Sequence, residues 1–382
     1  MSGSQIGVRM SPPICSWRII SNAIGVTIVI AKSSAIARVM LICVLTSAIS
    51  ACNAPNEVPI MTMDSTSHSY HWEIDTLGEG SGSVFYDVAI VNDTLAYAVG
   101  EISVRDSSGN FQVPSYNLAR WNGHGWELSI IDRQFNYGRT YSIVAFGADD
   151  IWVGAGGLSH WNGKNWELPP NSGTFPLTIY IRTLGGASAS SMYCAGESGG
   201  LVRFDGRSWV ILATGTEADI QDIWTGSNPL VGGVATLIVA ASKFNNVGQK
   251  LLRVVGTGSV DSLAWTPDPS RPPHSVWFEG SSPIYMCGAG IVRFDGSTWT
   301  RIEGTDGFYT NRIRGTASND VIAVGDFGYV VHYNGSTWHS YPEVMLSDGQ
   351  YNSVAMKGNL VIAVGSALGR TRAVALIGRR VR

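Results

Sequence analysis

The stretch Trp121-Asn122-Gly123-His124-Gly125-Trp126 is one of five copies of a short unit. Each copy has an aromatic residue, then Asn or Asp, then Gly, two variable residues and a Trp. The other copies occupy residues 161–166, 204–209, 294–299 and 333–338. Asn-Gly or Asp-Gly between apolar runs is a strong hairpin signal, because both residues tolerate the positive φ of a tight turn. Each copy therefore predicts a strand, a turn and a second strand.

The spacing of these turns indicates a repeat of about 40 residues. Their glycines are separated by 40, 43, 90 and 39 positions, and the interval of 90 spans two periods. A weaker copy fills that gap at residues 252–256, followed by Trp265, and a partial copy lies at 373–378. The chain therefore holds seven copies.

Two more short apolar segments precede most copies, for example 141–146 and 151–154. Four strands per repeat are typical of a propeller blade, and ring closure protects the edges of the first and last blades. The seventh copy lacks its outer strand, whereas His71-Trp72-Glu73-Ile74 resembles a lone outer strand. The sequence predicts an all-β, seven-bladed β-propeller over 70–382. Its blades are four-stranded, and the N-terminal strand completes the last blade, with Trp72 beside residues 372–377.

The composition narrows the classes of partner. Charged residues make up 14% of the 382, the formal net charge is -3, and no basic stripe is interleaved with aromatics, so we do not expect nucleic acid as a partner. The histidines show no metal-ligand spacing, and no phosphate loop is present, so we expect no metal and no cofactor. We expect a monomer, with Cys194 and Cys287 buried, reduced and too far apart to bond.

The first 51 residues predict a signal peptide. The apolar run from Val39 to Ser50 has the length of a signal-peptide core, and initiation near Val29 would leave Lys32 and Arg38 as its basic region. Ile49-Ser50-Ala51-Cys52 resembles the lipobox of bacterial lipoproteins. The resemblance implies acylation of Cys52 and a lipid-anchored protein of the bacterial cell envelope, sorted to the outer membrane. A plain transmembrane anchor is the alternative. Residues 52–69 predict a flexible tether.

The repeats resemble those of secreted bacterial propeller proteins, which read Asp, apolar, Trp or Tyr, Ala-Val-Gly, then His-Tyr-Asp-Gly-x-x-Trp. The best matches here are Asp320-Val321-Ile322-Ala323-Val324-Gly325 and His332-Tyr333-Asn334-Gly335-Ser336-Thr337-Trp338. The resemblance extends over residues 70–382 and implies the fold, but it does not imply an activity.

The longest connections between strands are expected on one face of the propeller, which we predict to be the binding side. Arg and aromatic side chains concentrate binding energy at interfaces. The candidate binding residues are Arg105, Phe111, Arg133, Phe135, Tyr137, Arg139, Phe308 and Tyr309.

Two classes of function remain open. The first is a binding or scaffold protein for a protein, peptide or glycan partner. The second is an envelope hydrolase or lyase acting on glycans through the same face or the axial channel, although no catalytic pair stands out in the sequence.

Overall fold

A computed structural model describes residues 64–80, 82–131, 139–175, 179–240, 249–256, 258–264, 272–280, 283–305 and 307–381. These residues form 28 strands, arranged as seven four-stranded antiparallel sheets. Four 3₁₀ helices lie among them, Ser172–Thr174, Glu197–Gly199, Pro229–Val231 and Pro342–Val344. The sheets are the blades of a seven-bladed β-propeller, which confirms the predicted fold class.

The strands follow the chain blade by blade. The N-terminal strand is β1 (Tyr70–Leu77). Blade one comprises β2 (Val84–Asn92), β3 (Leu95–Ile102), β4 (Tyr116–Trp121) and β5 (Trp126–Ser129). Blade two comprises β6 (Ser142–Gly147), β7 (Asp150–Gly154), β8 (Leu158–Trp161) and β9 (Trp166–Glu167). Blade three comprises β10 (Ile181–Ser188), β11 (Ser191–Gly196), β12 (Leu201–Phe204) and β13 (Trp209–Ile211).

Blade four, at the weak copy of the repeat, comprises β14 (Ile220–Asn228), β15 (Gly233–Ala240), β16 (Lys250–Val255) and β17 (Ser259–Ser262). Blade five comprises β18 (Pro273–Trp277), β19 (Ile284–Gly288), β20 (Gly290–Phe294) and β21 (Trp299–Arg301). Blade six comprises β22 (Thr310–Ala317), β23 (Asp320–Gly325), β24 (Val330–Tyr333) and β25 (Trp338–Ser340). Blade seven comprises β26 (Gly349–Lys357), β27 (Leu360–Ala367), β28 (Arg372–Arg380) and β1.

The N-terminal strand closes the ring as predicted. β1 pairs with β28 in antiparallel register, with Trp72 opposite Gly378 and Glu73 opposite Ile377. A Cβ at position 378 would lie 2.2 Å from the Trp72 ring, so only glycine leaves room for the indole. Gly378 therefore serves packing within a strand and not a turn, unlike the other repeat glycines.

The backbone of the Asn-Gly and Asp-Gly hairpins differs from the expected turn, in which both residues would have positive φ. Only the glycine has positive φ, as at Gly123 (φ 95°). The Asn122 side-chain oxygen instead accepts hydrogen bonds from the backbone N–H groups of His124 and Gly125 at 3.1 and 3.0 Å. The equivalent acceptors are Asn162, Asp205, Asp295 and Asn334. The residue before the glycine is thus selected for its side-chain acceptor.

The core lies between neighbouring blades. All residues of β23 and β27 are buried. The repeated Trp side chains fill the space between blades, because Trp338 stacks on Tyr333 at 5.1 Å and also contacts Tyr285 of blade five at 6.1 Å between ring centroids. Cys194 and Cys287 are buried and free, and burial raises the pKa of both thiols.

Part of the predicted tether is attached to the propeller. Residues 52–63 lie outside the described residues, but Thr66 donates its backbone N–H to Asn334 of blade six at 2.9 Å. The Tyr341 hydroxyl donates to the His68 carbonyl at 2.8 Å, and Val381 N–H donates to Ser69 at 2.9 Å. The attached chain therefore begins before residue 70.

The strand order gives the propeller two distinct faces. Turns between first and second strands and between third and fourth strands emerge together, on what we call the short-turn face. Connections between second and third strands, and between blades, emerge on the opposite side, the long-loop face. The first strand of each blade lines the axial channel.

Candidate functional site

The mouth of the axial channel on the long-loop face is lined by residues at one repeated position. In six of the seven first strands a β-bulge inserts an extra residue near this face. A bulge changes the direction of a side chain and often occurs beside a functional site. The bulged residues, together with the equivalent residue of blade two, are Tyr86, Tyr141, Arg182, Gln221, His274, Asn311 and Asn352. This position is therefore polar or aromatic in every blade.

Aromatic rings and guanidinium groups extend from the mouth across blades one to three. Tyr86 and Tyr141 lie 4.7 Å apart between ring centroids, and Tyr180 lies 5.5 Å from Tyr141. The Arg182 guanidinium lies 4.9 Å from the centre of the Tyr141 ring, and Arg370 donates to the Tyr86 hydroxyl at 2.8 Å. We call Tyr86, Tyr141 and Tyr180 the aromatic row.

One position deeper, side chains join four consecutive blades. The Ser142 hydroxyl donates to Asp87 at 2.9 Å and accepts the backbone N–H of Leu184 at 3.0 Å. The Ser353 hydroxyl donates to Asp87 at 2.6 Å from the other side. These hydrogen bonds connect blades seven, one, two and three around the channel.

Asp222 is the centre of a buried ionic cluster on the opposite side of the channel. It accepts from the Ser275 hydroxyl at 2.5 Å, from both terminal nitrogens of Arg314 at 2.9 and 2.7 Å, and from Arg312. Burial alone would raise the pKa of Asp222, but the two guanidinium groups outweigh it and hold that pKa well below its usual range. We call Asp222, Arg312 and Arg314 the channel clasp.

The central carboxylate of the channel clasp is closed to solvent. The Asp222 side chain is 0% exposed, so a substrate cannot reach its carboxylate. Asp87 lies 3.9 Å from Arg312. The two carboxylates, Asp87 and Asp222, therefore neutralise the two guanidinium groups, Arg312 and Arg314. Towards the short-turn face the channel continues as a cavity of about 290 Å³, whose mixed lining includes apolar Leu184, Ile223 and Met356 and charged Asp87, Arg312 and Arg314.

A second cavity, of about 340 Å³, opens on the long-loop face between blades six, seven and one. It lies where the second-to-third connections of blades six and seven meet the first strands of blades seven and one. The polar groups that line it belong to Tyr86, Asp326, Asp348, Gln350, Asn352 and Arg370. We call it the loop cavity.

The rim of the loop cavity holds side chains on unusual backbone. Phe327, Leu368 and Arg370 have φ of 57°, 52° and 65°, and they are three of the five non-glycine residues with positive φ in the described part of the chain. Such conformations are costly for side chains of this size and cluster at functional sites. Phe327 is 52% exposed and Leu368 59% exposed. Phe327 lines the cavity, and Leu368 directly precedes the lining residues Gly369 and Arg370. The fold thus holds two apolar side chains in solvent at or beside one cavity.

Two of the residues predicted for binding lie exposed on the same face. Arg105 and Phe111 belong to the connection between β3 and β4, and the guanidinium lies 4.2 Å from the centre of the phenyl ring. Phe111 is 41% exposed and lies over Gly80, where a Cβ would be 2.5 Å from the ring. Arg139 is also exposed and donates to Glu101 at 2.6 Å.

Phe308 and Tyr309 have a packing role in the structure. Both are half-buried, and Phe308 contacts Tyr329 at 5.3 Å and Phe327 at 5.7 Å between ring centroids. The Tyr309 hydroxyl donates to the Pro272 carbonyl at 3.4 Å, and burial raises the Tyr309 pKa. Phe308 therefore supports the exposed Phe327. The remaining predicted residues lie outside the described residues: Cys52, Arg133, Phe135 and Tyr137.

The rim of the loop cavity is not formed by the longest loops. Phe327, Leu368 and Arg370 lie in short connections, which loop length does not distinguish. A signal was available in Phe327-Gly328 and Leu368-Gly369-Arg370, where bulky residues adjoin a turn glycine inside a repeat.

Neither a metal centre nor a membrane helix is found in the described ranges. Their His, Cys, Asp and Glu side chains form no group of three that could hold a metal ion. No helix in them combines the length and the apolar character needed to cross a bilayer.

Comparison with known proteins gives structural likeness only. No family model and no curated protein matches the chain. The structure of YCF48 bound to D1 peptide is similar over 84% of this chain and 100% of its own, at 14% identity and a TM-score of 0.59. The WD40 β-propeller domain of Doa1 is similar over 83% of this chain and 99% of its own, at 13% identity and a TM-score of 0.57. The extracellular domain of the putative one-component system BT4673 from B. thetaiotaomicron is similar over 80% of this chain and 40% of its own, at 12% identity and a TM-score of 0.57. At these identities the likeness shows the fold.

Proposed function

We propose that this protein is a lipid-anchored binding protein of the bacterial cell envelope, whose partner docks a peptide segment into the loop cavity. The observation that carries the proposal is the rim, where Phe327 and Leu368 expose more than half of their surface from strained backbone. Burial by a partner would stabilise these apolar side chains, whereas solvent does not. The rim therefore favours a binding role.

The cavity chemistry favours a segment with a basic side chain next to apolar ones. Asp326 and Asp348 place two carboxylates at the cavity, whereas Arg370 contributes one guanidinium, which already donates to Tyr86. Charge complementarity of this kind selects partners and sets their register. Gln350 adds an amide that can pair with a peptide backbone.

The aromatic row offers a second contact surface next to the cavity, because Tyr86 belongs to both. Tyr and Arg are the residue types most often found at the energetic centre of an interface. A peptide that leaves the cavity over Tyr86 would meet Tyr141 and Arg182 within one or two residues. We therefore expect the footprint to run from blade six to blade three.

The comparisons support a peptide partner without identifying it. YCF48, which shares the fold, has been solved with D1 peptide. The example shows that a propeller of this size can hold a peptide.

A display experiment tests the binding site. A random peptide library is selected on the immobilised full chain, and the enriched peptides are measured against variants. We expect Phe327→Ala and Leu368→Ala each to weaken binding by about 1–2 kcal/mol. Ile211→Ala is the matched control, since Ile211 is 63% exposed on the outer strand of blade three. Equal binding to all three variants would contradict the proposal.

The lipid anchor is tested separately. The proposal places acylated Cys52 at the mature N-terminus, on the outer membrane, by the resemblance of residues 49–52 to a lipobox. Intact mass should show the lipid, and Cys52→Ala should move the protein from the detergent phase to the aqueous phase. A processed Cys52→Ala protein that still fractionates with membranes would contradict it.

A glycan-active hydrolase or lyase has one observation in its favour. Asp326 and Asp348 line the same cavity, and glycoside hydrolysis uses two carboxylates that face one cleft. Release of reducing ends from envelope glycans by the wild type, lost in Asp326→Asn and in Asp348→Asn, would support this alternative over the peptide-binding role.

A further inference from the structure

The chain enters the propeller from the short-turn face. Tyr70, the first residue of β1, lies opposite Arg380, the last residue of β28, and β28 ends on that face. Leu77, at the other end of β1, lies opposite Ala373 near the long-loop face, from which the chain continues into blade one. The direction of the closing strand thus determines on which face the N-terminal segment leaves.

Hydrogen bonds hold the segment before β1 against the turns of blade six. Asn319, in the turn between β22 and β23, donates its side-chain N–H to the Asp64 carbonyl at 2.6 Å. The Thr66 hydroxyl donates to the Asn319 carbonyl at 2.7 Å, and the Thr66 backbone N–H donates to Asn334 at 2.9 Å. Both turns belong to the short-turn face, so residues 64–66 lie on that face.

The His68 side chain adds two further contacts to blade six. Its ring nitrogens lie 3.0 Å from the Thr337 hydroxyl and 2.9 Å from the buried His332 ring nitrogen. Residues 64–69 are therefore fixed to the short-turn face at several points.

Cys52 lies twelve positions before Asp64. Even a fully extended chain of this length spans at most about 40 Å. The two faces are themselves about 25 Å apart, the length of the eight-residue strand β27. A lipid at Cys52 therefore holds the short-turn face nearer to the bilayer than the long-loop face.

From this geometry, and resting on the proposed lipid anchor, we infer that the short-turn face lies against the lipid surface and that the loop cavity points away from it. The turns on the membrane side suit lipid headgroups. The Asn and Asp side chains of these turns are polar, all but the half-buried Asn334 are exposed, and they accept hydrogen bonds from their own backbone. The exposed Phe327 and Leu368, which could insert into a membrane, lie on the opposite face.

Fluorescence quenching in vesicles tests the orientation. Single reporters are attached to Ser336→Cys on the short-turn face and to Leu368→Cys at the rim of the loop cavity, both at exposed positions. Cys194 and Cys287 are 0% and 2% exposed, so they do not react in the folded protein. The full-length lipidated chain is inserted into phosphatidylcholine vesicles that carry nitroxide headgroups. We expect quenching at position 336 to be at least about twofold stronger than at position 368, given the separation of the two faces.

The controls separate the two proposals. Equal quenching at both positions, or stronger quenching at 368, in a protein that floats with the vesicles would overturn the orientation and leave the anchor intact. A protein that does not float would overturn the anchor and the orientation with it. Cys52→Ala versions of both labelled proteins, produced without residues 1–51, should show no quenching, and quenching that persists in them would mean that the propeller binds lipid without the anchor.

Discussion

The channel clasp should be the most sensitive electrostatic position in the ring. Asp222→Asn keeps the shape of the side chain but removes the charge that pairs with Arg312 and Arg314. Loss of one partner from a buried ion pair costs about 3–5 kcal/mol, because the remaining charge is left uncompensated. Asp87, at 3.9 Å from Arg312, compensates only in part. We therefore expect a loss of about 4 kcal/mol in the free energy of unfolding.

Urea unfolding followed by tryptophan fluorescence measures this loss. The matched control is Asp261→Asn, which breaks the pair with Arg253 at 2.6 Å, where the Asp261 side chain is 47% exposed. Exposed pairs of this kind contribute about 0.2–1 kcal/mol. A triple variant that makes the channel clasp apolar, Asp222→Leu with Arg312→Met and Arg314→Met, should recover much of the loss, because no charge is then left unpaired.

The channel clasp should also make the free energy of unfolding depend on pH. Because the pKa of Asp222 is lower in the folded protein than in the unfolded chain, its contribution is complete above the unfolded value near 4 and is lost as the pH falls below it. The difference between wild type and Asp222→Asn should therefore shrink in acid. A loss of less than about 1 kcal/mol at pH 7, or a difference that does not change with pH, would refute the role assigned to the clasp.

Three further outcomes follow from the structure. Gly378→Ala should lower the melting temperature of the whole ring by several degrees, since a Cβ there would lie 2.2 Å from Trp72 and overpacking costs about 1–3 kcal/mol; unchanged melting would argue against closure by β1. Burial and the neighbouring histidines lower the His68 pKa to about 4, so the attachment of residues 64–69 should weaken as the pH falls from 6.5 towards 4. Amide exchange at Thr66 should report this, and His68→Asn should remove the pH dependence. Asp348→Asn should weaken selected basic peptides about tenfold while leaving the urea midpoint unchanged, and a shifted midpoint would indicate a structural role instead.

The fold could be predicted because its signals are local and repeated. The unit of an aromatic residue, Asn-Gly or Asp-Gly, and Trp marks the third and fourth strands of five blades. The unpaired Trp72 indicates the closing strand before any contact is known. The expected backbone of the turns was wrong in one respect. A sequence shows that Asn122 is suited to a turn, but not whether its φ or its side-chain acceptor is used.

The site was less predictable because it depends on contacts between distant residues. Arg314 and Asp222 are 92 positions apart, and no local pattern connects them. The loop cavity is assembled from short connections of different blades, so the length of a loop does not reveal it. The sequence predicts Phe308 as a binding residue, but in the structure its ring packs against Phe327, and Phe327 is the more exposed of the two.

The pairing of β1 with β28 also determines when this protein can finish folding. The two strands are about 300 residues apart, and at synthesis rates of about 5–20 residues per second roughly 15–60 s separate their appearance. During that time β1 has no partner and the ring presents open edges. Completion of the chain and burial of its first strand are thus a single event. A product that ends before β28 keeps both edges open, and such unpaired strand edges are exposed to aggregation and proteolysis until the ring is complete.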